Sequence, residues 1–126
     1  MNPVLDASAL LAYLHREPGW EKVQTVIGES CICAVNWCEV AQKTKQKGMA
    51  VEKARSLLEE LGLTITPFST EQAERAAHLW DESRQHGLSL ADRACLALAI
   101  EQNSPVLTTD RVWSKLDLDV EIRLLR

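Results

Sequence analysis

Four acids stand where carboxylates can be gathered: Asp6, Glu39, Asp92 and Asp110. Asp6 follows the apolar pair Val4-Leu5, and Glu39 comes soon after the run Cys31-Ile32-Cys33-Ala34-Val35. Asp92 stands three residues after Ser89, and Asp110 closes Val106-Leu107-Thr108-Thr109. Taken singly, each acid has a structural use. Asp6 and Asp110 are natural helix N-caps. Asn36-x-x-Glu39 and Ser89-x-x-Asp92 read as capping boxes, with their acids favoured by the helix macrodipole. Taken together at one rim, the acids repel one another, a cost that makes sense around a bound cation. The donors are hard oxygens with no histidine among them, which selects Mg²⁺ or Mn²⁺ over Zn²⁺. Carboxylate-held Mg²⁺ suits phosphodiester hydrolysis, because it activates water and stabilises charge developing on the phosphoryl oxygens.

For those acids to meet, the chain must bring them to one edge. Strand and helix patterns alternate from end to end. Residues 3–6 read as a short buried strand, 7–17 as a helix with apolar residues at helical spacing, and 20–27 as a second short helix. Residues 30–35 form a second strand of small and β-branched residues, followed by helices over 36–47 and 51–61. A third strand covers 63–68. Ser69 or Thr70 then caps a long helix ending near Gly87, with Ser69-x-x-Gln72 as its capping box. A helix over 90–102, a fourth strand over 106–109, a short helix over 110–116 and an edge strand over 120–124 complete the series. Strands separated by helices pair in parallel through right-handed crossovers. The expected fold is α/β: a three-layer α/β/α sandwich with a parallel sheet of four to five strands, as a single domain over 1–126. The helices at 36–47 and 51–61 are expected to project as an arm. Open parallel sheets bind ligands at the carboxyl ends of their strands. Asp6, Glu39 and Asp110 fall there directly, and Asp92 joins them because its helix must start at that edge.

With 126 residues the chain suits one core. No apolar run approaches the ~20 residues that span a bilayer, and Met1 to Asp6 lacks the basic start of a secretory signal, so a cytoplasmic protein with no membrane partner is expected. The net charge of −4 argues against coating nucleic acid by bulk electrostatics but leaves room for local binding. Cys31, Cys33, Cys38 and Cys95 lack the spacing of a zinc site and read as small packed hydrophobes. His15, His78 and His86 match no acid–base constellation. The four tryptophans read as core or interface, with base stacking open to Trp37.

The segments that carry the acids resemble the PIN domain, and most closely the VapC-type toxins of bacterial and archaeal toxin–antitoxin pairs. They are Val4-Leu5-Asp6-Ala7-Ser8-Ala9-Leu10-Leu11-Ala12, Asn36-Trp37-Cys38-Glu39-Val40, Leu90-Ala91-Asp92-Arg93-Ala94-Cys95-Leu96-Ala97-Leu98-Ala99 and Pro105-Val106-Leu107-Thr108-Thr109-Asp110-Arg111. Each alone is weak; four in order across nearly the whole chain are specific. The resemblance implies a five-stranded parallel sheet, Mg²⁺-dependent cleavage of RNA, and a homodimer held by a small antitoxin partner. It carries Asp6, Glu39, Asp92 and Asp110 over as the catalytic quartet, with Asp6, Asp92 and Asp110 as metal ligands. It also carries over Ser8 and Thr108 as hydroxyl support, although Thr109 competes with Thr108 for that role. Asn36-Trp37-Cys38 is bulkier than the small residues expected before Glu39.

Lys43, Arg93 and Arg111 are candidate RNA contacts. Lys43, with Lys45 and Lys47, reads either as a solvated face, with Glu39 and Lys43 paired at i,i+4, or as a basic rim for phosphates. Arg93 and Arg111 each follow a site acid and either touch phosphate or balance the acidic cluster. Two other classes compete. A phosphotransfer or phosphatase-type α/β domain also places acids at strand ends, but the phosphatase pattern wants a second Asp where this chain has Ser8. A non-catalytic binding module with the same fold would be free to lose the acids that are intact here.

Overall fold

The computed structural model describes residues 2–126; Met1, the first residue of the run weighed above as a leader, lies outside them. Five strands, β1 (Val4–Leu5), β2 (Cys31–Cys33), β3 (Thr64–Thr66), β4 (Val106–Thr108) and β5 (Ile122–Leu124), form one parallel sheet in the order β3-β2-β1-β4-β5. Around it lie α1 (Ala7–His15), α2 (Trp20–Gln24), α3 (Ala34–Gln46), α4 (Val51–Glu60), α5 (Thr70–His78), α6 (Trp80–Ser83) and α7 (Leu90–Gln102).

The inner strands β1, β2 and β4 are short and buried on both faces because helices cover both sides, whereas the edge strands β3 and β5 are partly exposed. Along the inner strands, successive residues alternate between the two cores. Val4, Cys31, Cys33 and Val106 pack with α5 and α7, whereas Leu5, Ile32 and Leu107 pack with α1, α3 and α4. Helix α7 is buried continuously from Ala94 to Ala99. Its small side chains let it lie close to the sheet, and its polar residues are confined to its two ends. The chain runs from β1 outwards through β2 to β3, then returns to place β4 on the other side of β1. Strand order therefore reverses at the carboxyl ends of β1 and β4, where an open α/β sheet forms its binding crevice.

Four expectations change. The long helix after Ser69 breaks at Leu79, followed by α6 and a 3-10 turn at Arg84–His86. Apolar residues lapse after Trp80, and Ser83 is the only buried position among residues 80–87, so little packing holds a helix there. Helix α3 begins at Ala34 rather than Asn36, directly as β2 ends. The anticipated two-helix arm is only one helix: α3 packs on α1 and α7, while α4 lies at the edge with Leu58 as its buried residue. The expected helix after Asp110 is a 3-10 turn, Arg111–Lys115.

Geometry dictates glycine at Gly19, where φ is +93° and a Cβ would lie 2.5 Å from the Leu125 carbonyl oxygen, and again at Gly62. Gly62 turns the chain from α4 into β3 at φ +107°, and a Cβ there would lie 2.5 Å from the Gly28 carbonyl oxygen. No helix among the described residues is long and apolar enough to cross a membrane.

Candidate active site

Asp6 leaves the end of β1 and caps α1. Its backbone is extended, and its Oδ1 accepts the Ala9 amide at 2.9 Å. The same oxygen accepts the Ser8 hydroxyl at 2.7 Å, and Oδ2 accepts the Thr108 hydroxyl at 2.5 Å. Each hydroxyl is itself oriented from β4's end: Ser8 Oγ accepts the Thr109 amide at 3.0 Å, and Thr108 Oγ1 accepts the Asp110 amide at 3.1 Å. The two strand ends are thus joined through the carboxylate. Thr108 takes the hydroxyl role, whereas Thr109 contributes its backbone.

Asp6 is 5% exposed. Burial pushes its carboxyl up to about 6, against the lowering effect of the Thr108 and Ser8 hydroxyls and the Ala9 amide, and the Asp92 charge adds to the rise. Glu39 stands at the rim in the first half of α3. Its carboxyl is also raised, first by partial desolvation and further by Asp92, while Asn36 opposes the shift. Asp92 thus faces both other acids closely enough to disfavour their charge. It remains anchored in its own helix: Ser89 and Asp92 form a reciprocal capping box, with bonds of 2.9 and 3.1 Å. Capping and proximity to other acids coexist here, so neither reading displaces the other.

Asp110 is brought to the same sheet edge by β4, and its side chain caps the turn that follows. It is exposed and accepts the Val112 amide at 3.0 Å as the cap of the 3-10 turn. Among the described residues, no three His, Cys, Asp or Glu side chains are arranged to enclose one ion. The donor chemistry nevertheless fits a hard divalent cation. Asp6, Glu39 and Asp92 offer oxygens and no soft ligand, and their mutual electrostatic cost is of the kind that a cation removes.

The capping box expected at Asn36-x-x-Glu39 does not form, because α3 starts two residues earlier with Cys33 at its N-cap. Asn36 has a different place, which its sequence position did not reveal. It is 1% exposed, and its Nδ2 donates to the Ala91 carbonyl at 3.0 Å and to Glu39 Oε1 at 3.4 Å. It therefore joins Glu39 to the first turn of α7, one residue before Asp92. Its Oδ1 is buried without a hydrogen-bond partner among the described residues. The signal lay in the inward stripe Asn36-Val40-Thr44, where an amide stands among buried positions.

The candidate cations separate. Lys43 is exposed and borders a cleft that also contains Ser8 and Thr109. Arg111 is exposed beside Asp110. Arg93 donates to the Ala76 carbonyl at 2.8 Å, which ties α7 to α5. Trp37 is half-buried against the α1-side core. Cys31, Cys33 and Cys95 are buried free thiols, pushed up by desolvation, and Cys38 is exposed. This is packing chemistry rather than zinc chemistry.

No curated protein matches the sequence at a significant level. Several solved structures match the fold. A toxin–antitoxin complex from Klebsiella pneumoniae superposes with a TM-score of 0.75 at 19% identity, covering 96% of this chain and 100% of that one. DNA-bound VapBC from Salmonella typhimurium gives 0.74 at 16%, covering 100% and 99%. Mycobacterium tuberculosis VapC20, described as a Sarcin-Ricin loop cleaving toxin, gives 0.73 at 11%, covering 95% and 99%. The family model for the PIN domain matches residues 4–118, from the first strand past the last candidate acid, and this chain belongs to the PIN-domain family.

Proposed function

We propose that this protein is a Mg²⁺- or Mn²⁺-dependent endoribonuclease, acting in the cytoplasm as the toxin of a toxin–antitoxin pair. One observation carries the reading: a carboxylate buried at the strand-order reversal, accepting three hydrogen bonds and still held near pKa 6. Burying a charge there costs stability unless a cation compensates it. Family membership supports a nuclease. The similarity to VapBC complexes supports an antitoxin partner, and VapC20 supports RNA as the substrate.

Asp6, Asp92 and Asp110 would hold the cation, each while one of its oxygens also caps the turn that follows or precedes it. When bound, such an ion supplies a more acidic water and neutralises charge developing on the phosphate. Ser8 and Thr108 fix both Asp6 oxygens so that the carboxylate does not rotate. Glu39 accepts a proton at the rim, a task suited to a carboxyl raised above its ordinary range. Asn36 orients Glu39 and ties it to the helix that carries Asp92. A homodimer accompanies the toxin reading, with a small antitoxin covering the acidic site.

Conditional expression in a bacterial host tests this reading. Wild type should arrest growth and generate discrete RNA ends, and co-expression of a cognate antitoxin should relieve the arrest. Asp6→Asn should allow growth. Equal toxicity of wild type and Asp6→Asn would overturn the assignment.

A further inference from the structure

Beside the acids, the surface opens into a cleft of about 330 Å³. One end is formed by Ser8, whose hydroxyl donates to Asp6, and by Thr109, whose amide donates to that hydroxyl. The cleft therefore adjoins the acidic site through Ser8, the hydroxyl that holds Asp6. Its side is formed by Lys43 and Lys47. Glu39, Lys43 and Lys47 follow one another at four-residue intervals along α3 and its C-cap, about 6 Å per step. That spacing is comparable with the separation of successive phosphates along an extended single strand.

Neither lysine has a carboxylate within ion-pair distance among the described residues. In a chain of net charge −4, this is a local reversal of sign. Lys45 lies between them in sequence but does not border the cleft. At the far end stands Glu17, 3.9 Å from Arg126 and 4.0 Å from His15. An acid at that end disfavours a further phosphate.

We propose that this cleft is a subsite for two successive backbone phosphates of a single RNA strand. Lys43 takes the phosphate adjoining the scissile one, and Lys47 takes the next. The inference rests on the ribonuclease reading above and adds the path of the substrate: away from the acids, along α3 towards the end of α1. Because lysines contact only the backbone here, the subsite positions the strand without choosing its bases.

Binding of a fluorescent single-stranded oligouridylate, followed by anisotropy across KCl concentrations, tests the proposal. All proteins carry Asp6→Asn so that the probe stays uncut. Two further variants are compared, Lys43→Ala/Lys47→Ala and Lys45→Ala, each checked for folding by thermal melting. Losing two phosphate contacts should lower the slope of log K against log salt by about 1.4. Affinity at 0.1 M salt should then fall about 25-fold, converging with the parent towards 1 M. Lys45→Ala should leave the slope unchanged. Equal slopes for the double variant and its parent would overturn the subsite, as would an equal loss per lysine in Lys45→Ala. Cleavage by the protein with native Asp6 separates the two readings. If it cuts RNA while the double variant keeps its slope, only the subsite falls; if it neither binds nor cuts RNA, the nuclease reading falls with it.

Discussion

Replacing Asp6 by asparagine should stabilise the metal-free protein at neutral pH, although it removes a residue that makes three hydrogen bonds. The carboxyl rises from an ordinary 3.8 to about 6 on folding, chiefly through burial. Between those values the folded state binds more protons than the unfolded state, so stability falls as pH rises. This group's contribution is present in full below about pH 4 and lost as pH climbs through about 6. At about 1.36 kcal/mol per pH unit, the loss is about 3 kcal/mol. Asparagine keeps the cap, since it serves as well as aspartate at that position. Its amide must face Thr108 in place of Oδ2, and the hydroxyl must redirect, at a cost of about 1 kcal/mol. The net gain above pH 7 is then about 1–3 kcal/mol, or about 4–10 °C in Tm for a chain of this size. Paired melts in EDTA from pH 4 to 8 would measure it. The difference between variant and wild type should grow across pH 4–6 and level off. Millimolar Mg²⁺ should raise the wild-type Tm by binding only the folded state, by about 1–3 kcal/mol at saturation, and should leave Asp6→Asn nearly unmoved. A variant less stable than wild type at every pH, with no response of either protein to Mg²⁺, would reduce Asp6 to a helix cap and refute the reasoning.

Thr108→Val removes the hydroxyl between Asp6 Oδ2 and the Asp110 amide. It should cost about 1–3 kcal/mol in urea unfolding and move the Asp6-linked pH transition upwards. Asn36→Ala leaves the Ala91 carbonyl without its side-chain donor and frees Glu39. We expect a loss of about 1–3 kcal/mol in stability and a fall in kcat larger than the change in KM. Gly62→Ala forces a Cβ to within 2.5 Å of the Gly28 oxygen at φ +107°. It should lower stability by about 2–4 kcal/mol while leaving cleavage at low temperature close to wild type.

The fold was legible where period and punctuation agree. Leu90 to Gln102 lies between a serine cap and Ser104-Pro105, and its limits emerge as expected. Parallel pairing follows from the alternation of elements, which places Asp6 at the carboxyl edge; the order β3-β2-β1-β4-β5, with β4 beside β1, comes from the structure. Boundaries set by packing were less visible. No local signal distinguishes a helix starting at Ala34 from one starting at Asn36, because Val35 is drawn into the core at the strand's end. The break at Leu79 reflects a fading apolar face without a proline or glycine to mark it. Within the site, the resemblance assigned the hydroxyl role to Thr108 with Thr109 as a competitor, and the strand's pleat turns Thr108 inward onto Asp6. For Asp110 both the place at the edge and the capping role were readable, and the cap forms through the Val112 amide. Arg93, beside Asp92 in sequence, reaches the Ala76 carbonyl because its helix turns it towards α5.

The central claim is that these carboxylates hold a metal for RNA hydrolysis. Its most direct test is a Mg²⁺ titration of endonucleolytic cleavage of a single-stranded or loop RNA by the purified protein. Cleavage should be absent in EDTA, appear with Mg²⁺ or Mn²⁺, and fall at least a hundredfold in Asp6→Asn and Asp92→Asn. Cleavage that persists unchanged in chelator, or at wild-type rate in Asp6→Asn, would contradict the account.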